Sequence, residues 1–505
     1  MVEVYISGVL NTITDPMCVL FVFIGTFMGL VFGCLPGLTA SMGIALLIPL
    51  TFTMDAVTAI GMMLGCYVGG MAGGAISAIL LNIPGTPSAV VTTLDGHPMA
   101  AKGQANKALG WAVFASGAGS LFSWAVLVVA APSLAALCTS FSSPEYASLA
   151  LFGLTIIAAV SGKNLAKGLV AGCIGLAMSF VGVDPIWGEL RFTFKNVNLM
   201  SGINLLPAMI GLYSIPQILE SVSEDASKAE ARKVTDYSLK SFIPPLTEWK
   251  EGATNIVRSS LIGTAIGIIP AAGANIAAFM AYDQAKRFSK DPDSFGKGNF
   301  NGIIASEASN NGVCGGALVP MMTLGIPGDA VTSVLLGGLM IQGLTPGSLL
   351  FTEHMDVVIG MFTTLLLATI FMVLIQLFAM RLFVRVLDVP TSYLNACLVV
   401  LSLVGSFALR NNMFDVGVTI FLGAVGYVMA QAKFPTAPTV LGLVLGTMFE
   451  REVRMSLYSS KGDWMIFFQR PVAAVFILLS LFFMGNSLWK AAKEIRAKKA
   501  AGKNV

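Results

Sequence analysis

Two carboxylates fall in stretches where charge is costly. Glu307 lies in IIASEASNNGVCGG, and Asp329 follows the Pro327-Gly328 pair in MMTLGIPGDAVTS. Charged groups in an apolar setting face a partner or a cavity. Neither has a basic neighbour in the chain, because residues 298–380 contain no Lys or Arg. A bound cation or a shared proton is the natural counter-charge, with the amides of Asn310 and Asn82 as further oxygen ligands. Plainer roles are open too. Glu307 can simply hold a neighbouring helix, and Asp329 is equally suited to capping the helix that follows it.

The same chemistry recurs wherever proline and glycine interrupt an apolar run. Pro36-Gly37 is followed by Thr39 and Ser41, and Asn82 leads into Pro84, Gly85, Thr86, Pro87 and Ser88. Pro270 is followed by Gly273 and Asn275. Asn310 and Asn311 precede Pro327 and Gly328, with Thr332 and Ser333 just beyond. Proline removes a donor and frees a carbonyl, and glycine lets the backbone turn freely. Freed carbonyls suit a hard cation such as Na⁺, and exposed helix N-termini suit an anion. These positions are therefore candidates for one substrate site, with Glu307, Asp329, Asn310 and Asn82 as candidates for the cation. A single Pro-Gly is more often a kink, and the run Gly69-Gly70-Met71-Ala72-Gly73-Gly74 reads mainly as close helix packing. Four breaks in two ordered pairs favour a site.

The elements that must position these residues are membrane helices. The 505 residues are 55% hydrophobic and 11% charged, against about 25% charged in soluble domains. Runs such as VVIGMFTTLLLATIFMVLIQLFAM (357–380) reach the ~20 apolar residues that a span requires. The class is an all-α polytopic membrane protein. The first apolar run lacks a basic leader region, so no cleavable signal is expected. Seven scattered cysteines without C-x-x-C read as small apolar residues, so Na⁺ is the only metal expected and no transition-metal site is. His97 and His354 read as interfacial, and Asp95 in LDGHPM as shaping a turn.

One long polar stretch, 221–255, reads as a cytoplasmic linker between two membrane halves, 1–220 and 256–489, with a basic cytoplasmic tail at 490–505. Each half opens alike. GCLPGLTAS precedes Gly73-Gly74-Ala75 and Asn82-Ile-Pro84-Gly85, and GIIPAAGAN precedes Gly315-Gly316-Ala317 and Gly325-Ile-Pro327-Gly328. Residues 1–101 carry no Lys or Arg, whereas Lys250 and Arg258 precede Pro270 and Lys286, Arg287 and Lys290 follow it. Cytoplasmic loops hold the basic excess, so both flanks of Pro36 read as outside and both flanks of Pro270 as inside.

The simplest topology is two inverted repeats. Each has a re-entrant hairpin (near 17–53 and 257–281), then a broken helix (56–94 and 300–350), then scaffold helices. Such repeats are common in secondary transporters. The remaining crossings read as 108–131, 145–161, 165–182, 202–219, 357–380, 391–408, 412–430, 436–449 and 466–489. The N-terminus then lies outside and the C-terminus inside. Arg191, Lys195, Arg451, Arg454 and Lys461 fall outside on this map and count against it. Twelve or more crossings, with both proline segments spanning, is the alternative. Paired hairpins around one site suit an elevator-type transporter.

Other functions fare worse. No Gly-x-x-x-x-Gly-Lys-Ser/Thr occurs, so ATP hydrolysis is not expected, and the net charge of +3 argues against nucleic acid. Tyr282-Asp283 with Gly328-Asp329 loosely resembles an intramembrane aspartyl protease, yet Asp283 leads into the polar run QAKRFSKDPDSFGKG. An uncoupled anion channel is the better alternative, but it would not need two inverted hairpins. No enzymatic activity and no cofactor are expected.

The stretches GCLPGLTASMGIALLIPL, GGAISAILLNIPGTPSAVVTTLDGHPMA, GIIPAAGANIAAFMAYDQAKRFSKDPDSFGKGNFNGIIASEASNN and MMTLGIPGDAVTSVLLGGLMIQGLTPG together resemble the large membrane subunit of tripartite tricarboxylate transporters. The resemblance implies a bacterial inner-membrane permease for citrate-like carboxylates. It also implies coupling to Na⁺ or H⁺, a small membrane subunit and a periplasmic substrate-binding protein as partners. A homo-oligomer is open. One departure is visible: Pro270-Ala271 stands where the family commonly has Pro-Gly, as at Pro36-Gly37.

Overall fold

The computed structural model describes residues 2–160, 165–184, 186–223, 238–270, 273–387, 391–408 and 410–500. The first half runs α1 (Val2–Thr14), α2 (Pro16–Cys34), α3 (Ala40–Leu47), α4 (Ala56–Leu81), α5 (Val90–Ala101), α6 (Ala105–Cys138), α7 (Ser143–Val160) and α8 (Leu165–Ser179). A two-stranded hairpin, β1 (Gly182–Val183) and β2 (Leu190–Arg191), leads to α9 (Leu205–Met209) and α10 (Ile215–Ser223), which are joined by a π-helical turn. The second half runs α11 (Leu239–Phe242), α12 (Leu246–Ile268), α13 (Gly273–Arg287), α14 (Phe300–Leu324), α15 (Ala330–Ile341), α16 (Ser348–Glu353) and α17 (Met355–Val386). It ends with α18 (Thr391–Ala408), α19 (Met413–Gln431), α20 (Ala437–Ser459), α21 (Ile466–Gln469) and α22 (Pro471–Ala500). Among the described residues, α2, α4, α6, α17 and α19 are long and apolar enough to cross a membrane. The chain is a multi-pass α-helical membrane protein.

Helix boundaries follow local chemistry. Asp15 caps α2 through Met17 N (2.9 Å), with Pro16 at the first helical position, where its missing N–H costs nothing. Asp55 caps α4 through Thr58 N (3.1 Å). At the far end of α4, Asn82 takes a left-handed conformation (φ 59°), and Gly325 does the same at the end of α14 (φ 70°). Asn is among the few non-glycine residues that tolerate this shape, because its side chain is short and polar. At the first hairpin the positive φ belongs to Gly37 (85°); at the second it belongs to Gly273 (69°). The glycine missing after Pro270 is thus supplied three residues later, and Ala271 and Ala272 lie outside the described residues.

Several boundaries differ from the sequence reading; α20, for one, runs to Ser459 rather than ending near 449. An N-terminal helix, α1, precedes the first hairpin. Helix α5 continues to Ala101, beyond the expected 94. The first arm of the second hairpin starts at Leu246 rather than near 257, so α12 is 23 residues long. The stretch LTEWKEG is polar, but Leu246, Glu248, Lys250 and Glu251 in it are good helix formers. Its side chains are engaged too: Glu248 accepts from Trp111 Nε1 (2.9 Å) and pairs with Lys107, and Trp249 packs on Trp111. Residues 224–237 of the expected linker and 501–505 of the tail lie outside the described residues.

The chain divides into two compact units, one of residues 1–136 and 217–411, the other of 137–216 and 412–505. Each unit takes one segment from each sequence half.

In the first unit, α2 packs along α4 and α12 along α14 at backbone contact. A Cβ on Gly29 would sit 2.4 Å from Cys66 O, and one on Gly69 2.3 Å from Thr26 O. In the other pair, a Cβ on Gly263 would sit 2.1 Å from Ser309 O and one on Gly316 2.4 Å from Thr264 O. Without a hydrophobic drive between helices in lipid, such small-residue seams are what hold them together. Helix α17 packs on α2 and α4, and α17 and α18 belong to this unit.

In the second unit, α20 packs on α7 and α8, α22 on α7, and α19 on the π turn. Asp184 closes the β1–β2 turn by accepting from Ile186 N (2.8 Å) and Trp187 N (2.9 Å), and its other oxygen meets Arg454 (2.5 Å). Arg191 binds Glu450 through both terminal nitrogens (2.5 and 3.1 Å). Two of the three arginines that sat awkwardly on the topological map, Arg191 and Arg454, therefore form a network with two carboxylates. The Arg454 guanidinium, aided by the Trp187 N–H, holds Asp184 well below the usual carboxylate range.

Candidate functional site

Every candidate site residue belongs to the first unit. Two helix–break–helix arrangements frame them. In one, α4 ends at Asn82, Pro84-Gly85 crosses without helical backbone, and a single 3₁₀ turn (Pro87–Ala89) starts α5. In the other, α14 ends at Gly325, Pro327-Gly328 crosses, and Asp329 starts α15. Both crossings press on the hairpin of their own half. A Cβ on Gly85 would lie 2.0 Å from Gly33 O, and one on Gly328 2.5 Å from Gly267 O. Gly33 and Gly267 each stand three residues before the hairpin proline. Only glycine fits where the break meets the hairpin tip.

The second arms of the hairpins reach across to the other half. Helix α3, with Ser41, packs on α15, with Thr332 and Ser333; helix α13, with Asn275, packs on the Pro87–Ala89 turn. At the first tip, Thr39 Oγ1 bonds Ser41 Oγ (2.9 Å) and donates to Gln217 Oε1 (3.0 Å). Near the first break, Thr86 and Ser88 hydroxyls lie 3.3 Å apart and are buried. Gly37, Asn82, Pro87 and Asn275 are exposed, while Pro36, Thr39, Pro84, Pro270 and Gly273 are half-buried. The rest are buried. The candidates thus form two groups, each joining one half's hairpin arm to the other half's break.

The four cation candidates occupy different posts. Asp329 forms a capping box with Thr332: Oδ1 accepts from Thr332 N (2.7 Å), and Thr332 Oγ1 accepts from Asp329 N (2.9 Å). Its Oδ2 accepts from Tyr67 OH (2.7 Å). Asn82 is a helix C-cap. Glu307 and Asn310 adjoin each other inside α14, both essentially without exposure. Glu307 Oε1 meets the Thr92 hydroxyl of α5, and Oε2 accepts from Ser116 Oγ of α6 (3.1 Å). Asn310 Nδ2 donates to Met71 O (2.9 Å), while its Oδ1 is buried with no hydrogen-bond partner. Asn311 Oδ1 accepts from Ser120 Oγ at 3.5 Å. No ion pair reaches Glu307 and no group of three metal-ligating side chains occurs, among the described residues.

Sequence reasoning missed several partners. Ser116, Ser120 and Ser123 line one face of α6 at i, i+4 and i+7, opposite Glu307, Asn311 and Gly315. That spacing on an apolar helix was a usable signal. Asp95 does not shape a turn. It lies within α5, fully buried, and its Oδ1 accepts from the backbone N–H of Gly296 (2.9 Å), Gly298 (2.8 Å) and Asn299 (2.8 Å). Its Oδ2 accepts from Tyr282 OH (2.7 Å). The glycine-rich loop before α14 wraps this carboxylate, and no local pattern announces a contact between residues some two hundred positions apart. Gln342, at the end of α15, reaches Thr51 O (3.0 Å) in the 3₁₀ helix Ile48–Thr53 before α4.

Residues 19–441 match the model of the tripartite tricarboxylate transporter TctA family. The chain belongs to this family. It is 31% identical over 489 residues, 97% of the chain and 96% of the relative, to an uncharacterized 52.8 kDa protein in the TAR-I ttuC' 3' region of Agrobacterium vitis. It is 32% identical over 219 residues, 43% of the chain and 90% of the relative, to an uncharacterized protein in the TAR-II ttuC' 3' region of the same organism. No solved structure matches. As a TctA-family permease, the chain belongs to a class of transporter that works with partner subunits and a binding protein.

Proposed function

We propose that this TctA-family permease takes up a di- or tricarboxylate such as citrate by cation-coupled secondary transport, with Na⁺ as the expected ion, in a bacterial inner membrane. A small membrane subunit and a periplasmic binding protein that delivers the substrate are its expected partners. The observation that carries the reading is the doubled geometry of hairpin and break, in which Gly85 seats on Gly33 and Gly328 on Gly267. Two inverted repeats account for it, as does the crossed packing of α3 on α15 and of α13 on the Pro87–Ala89 turn. Backbone interrupted at membrane depth is tolerated where it lines a cavity or is buried in protein. The buried hydroxyls of Thr86 and Ser88 beside the first break then offer donors to substrate carboxylates without any arginine, whereas the donors at the start of α15 are taken by Asp329.

The unit holding both hairpins and both breaks is the moving part in an elevator reading. The test is counterflow of labelled citrate and succinate in proteoliposomes, with and without Na⁺ and the binding protein. Cation-dependent flux of one carboxylate supports the proposal. Cation-independent flux of unrelated anions would instead make the protein a channel.

A further inference from the structure

Arg258, on α12, is a half-buried arginine without a carboxylate. Arg191 and Arg454, also half-buried, pair with Asp184 and Glu450. Among the described residues no acid pairs with Arg258. Its guanidinium is nevertheless fixed. It lies over the Phe288 ring, 5.1 Å from the centroid, and Nη2 donates to Asn255 Oδ1 (2.9 Å). Asn255 is itself clamped: its Nδ2 donates to Asn301 O (2.8 Å), and its Oδ1 also accepts from Ser259 Oγ (3.2 Å). A guanidinium carries five N–H donors. One is used here; Nε is sealed in without an acceptor, and Nη1 makes no hydrogen bond. An arginine held this firmly with its donors idle is prepared for an oxyanion, because its planar fork matches carboxylate or phosphate oxygens in pairs.

Position and surroundings narrow the ligand. Arg258 stands twelve residues before Pro270, at the tip of the second hairpin, and Phe288 eighteen after it. Twelve helical residues rise about 18 Å, so the pair lies near the open end, where Lys286 and Arg287 close α13 and Lys290 follows. The neighbours of Arg258 on its helix are apolar and uncovered. Val257 and Leu261, one residue before it and one turn after it, are 58% and 56% exposed. Phe279 (52%) and Met280 (46%) on α13 and Phe288 itself (68%) are exposed as well. A small polyanion can occupy the fork but leaves this apolar face in water. An amphiphile with an anionic head satisfies both.

We propose that Arg258, stacked on Phe288, seats the phosphate of an anionic phospholipid whose acyl chains lie along Val257, Leu261, Phe279 and Met280. The Nη1–Nη2 edge of the guanidinium donates to two phosphate oxygens, while Asn255 and Phe288 hold it in place. The seat is separate from the carboxylate site at the breaks. It ties the open end of the second hairpin to the headgroup layer.

The test is native mass spectrometry of the delipidated full-length protein, titrated with phosphatidylglycerol and separately with phosphatidylcholine, without substrate. Wild type should bind its first phosphatidylglycerol more tightly than its first phosphatidylcholine. Arg258→Gln should weaken the former by about ten-fold or more, the worth of a charge-assisted pair, and leave the latter unchanged. Unchanged phosphatidylglycerol affinity in Arg258→Gln overturns the proposal. An equal loss in Lys250→Gln, an exposed lysine on the same helix, makes the effect one of bulk charge and overturns it too. Inorganic phosphate and citrate are added in separate arms at matched ionic strength; displacement of the lipid by either makes this a free-anion site and overturns the lipid assignment. If Arg258→Gln cannot be recovered folded, Phe288→Ala decides: losing the stack should weaken phosphatidylglycerol by about five-fold, and wild-type affinity there overturns the proposal.

Discussion

Replacing Asp95 with Ala removes four hydrogen bonds at once, and the structure says where the loss will appear. Three of them come from the backbone N–H groups of Gly296, Gly298 and Asn299, and the fourth from Tyr282 OH, all at 2.7 to 2.9 Å. Hydrogen bonds to a charged group contribute about 1.5–3 kcal/mol each, and unpaired buried donors carry a further penalty. Water entering the vacated space will recover part of this, so about 4 kcal/mol for the set is a working figure, or about 1 kcal/mol for each hydrogen bond. At about 1.4 kcal/mol per factor of ten, each amide should exchange about five-fold faster. The assay is hydrogen–deuterium exchange on the protein in nanodiscs, read on peptides covering 294–301. Asp95→Asn, which keeps one acceptor oxygen but no charge, should fall between. If the three amides exchange at the wild-type rate in Asp95→Ala, the loop is held by its own turns and the argument fails. Transport should fall as well, because Asp95 sits one turn from Thr92 on α5 and fixes the seam that Thr92 shares with Glu307.

Three further outcomes follow from particular contacts. Gly85→Ala should lower thermal stability in detergent and abolish transport, since its Cβ would lie 2.0 Å from a carbonyl, an overpacking cost of about 1–3 kcal/mol or more; Gly172→Ala, with open space around it, should leave unfolding temperature and transport at wild-type values. Asn82→Gly should preserve stability, while Asn82→Ala should cost about 1 kcal/mol in a chemical denaturation series, because its post is a left-handed cap (φ 59°). For Asp184, whose folded carboxyl is held below its ordinary range by Arg454, stabilisation is present above the unfolded value near ~3.9 and is lost as pH falls toward the folded one. Thermal unfolding followed as pH is lowered below about 4 should therefore show an acid-side loss that Asp184→Asn does not have.

Much of the helical layout was legible because lipid imposes a coarse rule: apolar length marks a helix, and proline with glycine marks its interruption. The breaks at Pro84 and Pro327, and the helices from α6 to α8 and α17 to α19, lie close to where the pattern put them. The polar beginning of α12 was illegible because its burial comes from Trp111 and Lys107, far away in sequence. Candidate roles were legible only as residue types. Asp329 and Asn82 could each bind a cation or cap a helix, and local composition is the same for both; backbone conformation shows the capping geometry of each.

By itself, then, the sequence determined a multi-pass membrane protein with two interrupted segments per half, since periodicity, hydropathy and glycine spacing are local properties. Only tertiary structure decided which carboxylate has counter-donors, because those donors come from other helices. Asp95 is satisfied by a loop two hundred residues away, and Glu307 by hydroxyls on α5 and α6. A buried charge takes its meaning from whatever surrounds it in three dimensions, and one-dimensional spacing carries no record of that.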